Sequence, residues 1–351
     1  MADKTLKSLN FGGADNYFPL PIVSANDNNK ILSVVNGEWV VKEAPSCDDT
    51  GQYVWSKRDS ADGPVTGYVI SNDGEKYPDG GWSNGVYYTL ELEPTLLPSP
   101  YLSFIGNEDF TLKTGNTTKN WDGTLEYSTD TTTWNTWNGT EISSAGSKLY
   151  LRGTGNTKIT GNSTDSRFVF TGINTLKIAC EGNIESLLDY DTVRSGGHPT
   201  MAEYCYYYMF YDCSSLTTAP ELPATTLADY CYNNMFRGCT ALTTAPALPA
   251  TTLTNGCYTS MFNGCMFLTT APALPATTLA DRCYYYMFHG CTKIELSTTR
   301  TGKYQTAYRI PKSGTGTTAT NSLGNMFLNT GGTFTGTPKI NTTYYTSNTV
   351  V

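Results

Sequence analysis

Cysteine is the residue type whose spacing in this chain could carry chemistry. Eight of the ten cysteines fall in pairs, Cys205/Cys213, Cys231/Cys239, Cys257/Cys265 and Cys283/Cys291, with seven residues inside each pair. Structural zinc sites bring thiolates two to four residues apart. No histidine recurs beside these pairs, so the spacing predicts buried thiols that pack as small apolar groups and hold no metal. Disulfides between neighbouring copies stay open as an alternative. The two histidines, His198 and His289, lie far apart. No GxSxG, HExxH or P-loop pattern is present, and nothing marks out a carboxylate pair for glycoside hydrolysis. The expectation is a protein that is not an enzyme and needs no cofactor. With 31 acidic and 23 basic side chains the net charge is −8, which argues against a nucleic-acid partner. No apolar run is long enough to span a membrane.

The elements that position the cysteines repeat. The block C-Y-x-x-M-F-x-[GD]-C starts at Cys205, Cys231, Cys257 and Cys283, 26 residues apart, with L-T-T-A-P-x-L-P-A-T-T-L between copies. A degenerate fifth copy is Asn325-Met326-Phe327. Thr226 and Asp229 match a helix start, and Gly238, Gly264 and Gly290 sit where a left-handed residue ends one. The predicted helix is about Leu227–Arg237, with Leu227, Cys231 and Met235 on one face, flanked by Tyr232 and Phe236. The following segment reads as a short strand with Leu242, Thr244, Pro246 and Leu248 on one face. One strand and one short helix per 26 residues must stack on their neighbours to bury a core, which predicts a solenoid. On this geometry the outward residues, and so the candidate binding face, are Tyr207, Tyr208, Tyr211, Asn233, Asn234, Arg237, Thr259, Ser260, Asn263, Tyr285, Tyr286 and His289. A tyrosine- and asparagine-rich face suits glycan or protein recognition.

The repeat resembles the BspA-like leucine-rich repeats, the 26-residue surface-protein repeats of gut bacteria and of their tailed phages, most strongly over residues 202–293. That resemblance implies binding of proteins or glycans rather than catalysis. The first residues, Leu6-Lys-Ser-Leu-Asn-Phe-Gly-Gly through Pro21, break aromatic and apolar groups with glycine and proline, and would bury Phe11, Tyr17, Phe18 and Leu20 against another surface. They resemble the N-terminal anchor of phage head fibre proteins, which implies docking on a capsid or other virion protein. Asn29 through Trp39 reads as a strand, an Asn36-Gly37 turn and a second strand.

The whole chain thus reads as mainly β or α+β. Residues 1–46 are a virion-anchoring arm and hairpin, and 47–92 a small β module. A proline-rich linker covers 93–100, and short alternating segments at 101–182 read as a β-sandwich-like domain that caps the stack. Residues 183–351 are the repeat solenoid with a C-terminal cap. The expected protein is a head fibre on the virion surface, made in the host cytoplasm since its N-terminus lacks a signal-peptide pattern. It is expected to be homo-oligomeric, a trimer before a dimer, and to display its repeats to host-surface glycan or protein. A tail fibre or a bacterial surface adhesin is the alternative.

Overall fold

The computed structural model describes residues 8–10, 17–19, 30–35, 38–43, 53–58, 65–71, 87–90, 101–311 and 321–351, with side chains in the last two ranges. The chain divides into two compact units, Met1–Glu93 and Pro94–Val351. It is mainly β, with little helix among the described residues.

In the first unit, β1 (Ser8–Asn10) pairs with β2 (Tyr17–Pro19). β3 (Lys30–Val35) and β4 (Glu38–Glu43) form the hairpin that the Asn-Gly dipeptide predicts, with Val35 opposite Glu38. β5 (Tyr53–Arg58), β6 (Val65–Ser71) and β7 (Tyr87–Leu90) make a three-stranded antiparallel sheet with β5 in the centre. The candidate anchoring residues Phe11 and Leu20 lie outside the described residues, and the side chains of Tyr17 and Phe18 do too.

The second unit opens with β8 (Leu102–Gly106), β9 (Phe110–Thr114), β10 (Thr124–Ser128), β11 (Asn135–Trp137), β12 (Ile142–Ser143), β13 (Lys148–Thr154), β14 (Phe168–Gly172) and β15 (Ile178–Glu181). Two sheets result, in the orders β11-β10-β13-β8-β15 and β12-β9-β14. Alternation places Leu102, Phe104, Leu149 and Leu151 from the first sheet, and Phe110, Leu112 and Phe168 from the second, in one core. Trp137 is 1% exposed and stacks on Trp121.

The repeats follow a 3₁₀ turn (Ile184–Leu187) and the short α1 (Tyr190–Arg194). Here the structure corrects the sequence reading. No copy of the cysteine block is helical; residues 203–212 and their equivalents form consecutive turns. Every fourth residue takes positive φ: Tyr230 (+56°), Asn234 (+56°) and Gly238 (+77°) in the second copy, and the matching positions in the other copies. Left-handed backbone costs an L residue roughly 1–2 kcal/mol and breaks the i→i−4 ladder. Stacking compensates. The N–H groups of Tyr206, Tyr208, Phe210 and Asp212 donate to Cys231, Asn233, Met235 and Arg237 of the next copy at 2.7–3.1 Å, while Tyr207, Met209, Tyr211 and Cys213 donate three residues back. Each bond between copies is worth about 1 kcal/mol net, and burying each large apolar side chain adds about 1.5–3 kcal/mol. Those gains outweigh the strain. Thr226 and Asp229 therefore cap no helix; Asp229 accepts the Asn255 N–H of the next copy at 3.0 Å.

The inward residues are those the helix reading named, because both geometries put Leu227, Cys231, Tyr232, Met235 and Phe236 inside. The linking segment differs. β16 (Leu216–Thr218) and β17 (Thr270–Ala271) are strands, but residues 242–248 are not. The buried positions there are Leu242, Ala245, Leu248 and Ala250, with Thr244 exposed, so the period-two face is not formed. Proline in each linking segment denies it a regular ladder.

Both ends of the stack are covered. Ile159, Phe168, Ile178 and Ile184, in or just after the two-sheet region, donate N–H bonds to carbonyls of the first copy, and β15 pairs in parallel with β16. At the far end β18 (Glu295–Ser297), β19 (Thr306–Arg309), β20 (Gly331–Gly332) and β21 (Thr343–Thr346) form a sheet in the order β19-β21-β18-β20. β22 (Thr349–Val350) pairs with β17. The fifth copy enters in register: Phe288 N–H bonds the Met326 carbonyl, and Phe327 stacks on Phe288.

Candidate functional site

The turn ladder fixes side chains in columns. The Phe210, Phe236, Phe262, Phe288 rings stack face to face at 5.6–5.7 Å. Tyr206, Tyr232, Tyr258 and Tyr284 stack likewise at 5.5–5.8 Å. These two columns lock the register and make the backbone around them a rigid support.

The cysteines form two further interior columns. All nine in the described residues are free thiols and buried. Cys239, Cys265 and Cys291 donate S–H bonds to the carbonyls of Phe210, Phe236 and Phe262 in the preceding copy at 2.9–3.1 Å. Burial holds the thiols protonated, raising Cys257 and Cys265 to about 12. No group of three or more His, Cys, Asp or Glu able to hold a metal exists among the described residues.

Of the twelve residues named for the outer face, nine are partly exposed: Tyr207, Tyr208, Tyr211, Arg237, Thr259, Asn263, Tyr285, Tyr286 and His289. Ser260, 7% exposed, is a correction, and so are Asn233 and Asn234, being 5% and 6% exposed. Their side chains are shorter than the tyrosines of the first copy and bond one another, Asn234 Nδ2 donating to Asn233 Oδ1.

The exposed residues gather in two clusters. In the first copy Tyr207 meets Tyr208 at 4.3 Å and Tyr208 meets Tyr211 at 5.0 Å, both edge to face. The Arg237 guanidinium lies 5.6 Å from the Tyr211 ring. Tyr204 and Tyr230, absent from the sequence reading, stack at 5.2 Å, and Tyr204 also meets Tyr207. Their signal was a tyrosine directly before the block cysteine in two successive copies. Burial, then the hydrogen bond with Tyr208, raises the Tyr207 phenol. In the fourth copy Tyr285 meets Tyr286 at 4.4 Å, and Tyr286 meets His289 at 5.2 Å. Asn325 donates to Tyr286 Oη at 2.9 Å. Burial, with Arg237 adding repulsion, lowers the pKa of His289 and favours the neutral ring.

Aromatic faces beside amides, hydroxyls and one guanidinium can stack on sugar rings and bond their hydroxyls. His198 stands apart. Its Nδ1 meets Glu185 Oε2 at 2.7 Å, and that carboxylate is 1% exposed, with burial raising its pKa. No protein-family model, characterised protein or solved structure matches this chain.

Proposed function

We propose that this chain is a virion structural protein, a phage head fibre whose stacked repeats form a BspA-like leucine-rich-repeat solenoid that adheres to host-surface glycan. The observation that carries adhesion is the Tyr204–Tyr207–Tyr208–Tyr211–Tyr230 cluster, held on a backbone whose alternate N–H groups are tied to the next copy. Rigid aromatic side chains lose little entropy on binding and offer large contact area. The virion assignment rests on the resemblance of the arm, residues 1–46, to head fibre anchors, with a capsid or other virion protein as partner and a trimer as the expected assembly. It is an adhesion role without catalysis.

The test is fractionation of tailed-phage particles from the strain that encodes the chain. Mass spectrometry of purified particles should find the protein, and deletion of residues 1–46 should remove it. Recovery only in the bacterial envelope would contradict the assignment and leave a surface adhesin.

A further inference from the structure

One repeat position departs from its own pattern. After the second cysteine the copies read Ser214-Ser215, Thr240-Ala241, Met266-Phe267 and Thr292-Lys293. Three copies place small or hydrophilic groups there, and the third places two large apolar side chains, Met266 at 45% and Phe267 at 55% exposure. Ile178 is paired with Leu216, which sets Lys177 opposite Ser215. A single column therefore runs Lys177, Ser215, Ala241, Phe267, Lys293 across successive coils. At ~4.8 Å per coil the two lysines stand roughly 19 Å apart along it.

Small residues between large ones make a trough. A cleft of about 430 Å³ follows this column, lined by Lys177, Ser214, Thr240, Ala241, Phe267 and Lys293, with Thr217, Thr243 and Thr269 along one side. Its lining residues include no carboxylate. Neither lysine makes an ion pair within 4 Å among the described residues; the Glu295 carboxylate is paired with Lys303 and interacts with Lys293 only at longer range. The trough thus has two ammonium groups free of direct ion pairs, one exposed aromatic ring and a row of hydroxyls.

We infer that this trough is a binding site for an acidic oligosaccharide. Uronate or sialate carboxylates would meet Lys177 and Lys293, a sugar ring would lie on Phe267, and ring hydroxyls would bond Ser214, Thr240 and Thr243. A peptide fits less well. Peptide grooves of this kind gain affinity from a free strand edge, and here the backbone along the trough is already bonded between coils, Thr269 N–H to the Thr243 carbonyl at 2.8 Å and β15 to β16. The site uses repeat positions different from those of the tyrosine clusters and does not rest on the function proposed above.

The experiment is calorimetric titration of the full chain with oligogalacturonate, oligosialate and an N-acetylglucosamine–glucuronate oligomer. Methyl-esterified oligogalacturonate and oligoglutamate serve as controls. At least one acidic oligosaccharide should bind, the ester should not, and the binding should weaken with salt. Lys177→Ala, Lys293→Ala and Phe267→Ser, all at exposed positions that should leave the fold intact by circular dichroism, should each weaken it about tenfold, while Lys148→Ala, an exposed lysine outside the trough, leaves it unchanged. Failure of all three acidic sugars to bind overturns the inference. So does binding unaffected by the three trough variants, or oligoglutamate binding as tightly as the sugars, which would make the occupant an acidic peptide.

Discussion

Raising the pH should dismantle the repeat stack over a narrow interval. Eight thiols, Cys205 to Cys291, sit in two interior columns at 0–8% exposure. Burial raises the pKa of every one, Cys257 and Cys265 to about 12, against a reference of 9.0. A pKa raised in the folded state means that the fold binds the proton more tightly than the unfolded chain does. The stabilisation is complete below the unfolded-chain value, roughly 8.5–9, and is lost as pH climbs from there toward the folded value. Each thiol then removes ~1.4 kcal/mol per pH unit. The seven raised furthest, all but Cys213, together remove on the order of 10 kcal/mol per unit, comparable with the ~5–15 kcal/mol total stability of an ordinary domain. The stack should therefore unfold between about pH 9 and 10. Far-UV circular dichroism through an alkaline titration reads this directly, and replacing Cys231 and Cys257 with Ala should move the midpoint upward. In parallel, iodoacetamide at pH 8 should label the folded chain's ladder cysteines far more slowly than free glutathione. Retention of the fold through pH 11, or full labelling of the folded chain at pH 8, would refute the buried-thiol columns.

Three further outcomes follow from particular contacts. Phe236→Ala leaves a gap between two stacked rings, Phe210 and Phe262, and should cost ~3–5 kcal/mol in urea unfolding, whereas the exposed Phe267→Ser should stay within ~0.5 kcal/mol. Gly264 has φ +79°, and a Cβ there would meet the Gly238 backbone at 3.8 Å, ordinary van der Waals contact without a clash, so Gly264→Ala should cost ~1–2 kcal/mol from backbone strain. Gly264→Asn should cost less, since Asn329 takes the same conformation in the fifth copy; equal losses for the two would contradict the left-handed assignment. Tyr208→Ala should abolish carbohydrate binding by the tyrosine cluster while shifting the unfolding midpoint little, because the ring is partly exposed.

The buried set of each copy was legible in the sequence because spacing alone separates Cys, Tyr, Met and Phe at fixed offsets from the positions that vary. The backbone was misread for a physical reason. Leu227, Cys231 and Met235 lie four apart, which fits a helix, and a ribbon whose backbone turns left-handed every fourth residue has the same period. The discriminating signal was present in the fifth copy, where Asn321, Asn325 and Asn329 recur every four residues. Asparagine tolerates positive φ better than most residues do. Gly238, Gly264 and Gly290 were expected in left-handed conformation and take it, at +74° to +79°, but as the last of a series rather than as a helix end. The outer face was half legible. Tyr207, Tyr208 and Tyr211 were named from a helical wheel, and adjacency along the ribbon gathers them with Tyr204 and Tyr230. Asn233 and Asn234 were misplaced because burial there depends on the size of the neighbouring copy's side chains, which no single-copy wheel contains.

The most direct test of the adhesion claim is an array of bacterial surface polysaccharides probed with the full chain and with the Tyr207→Ala/Tyr208→Ala/Tyr211→Ala variant, both checked for an intact fold. The account predicts at least one polysaccharide bound by the parent and by Phe267→Ser but lost in the triple variant. An array with no bound polysaccharide, or one whose signal survives the triple substitution, would contradict it.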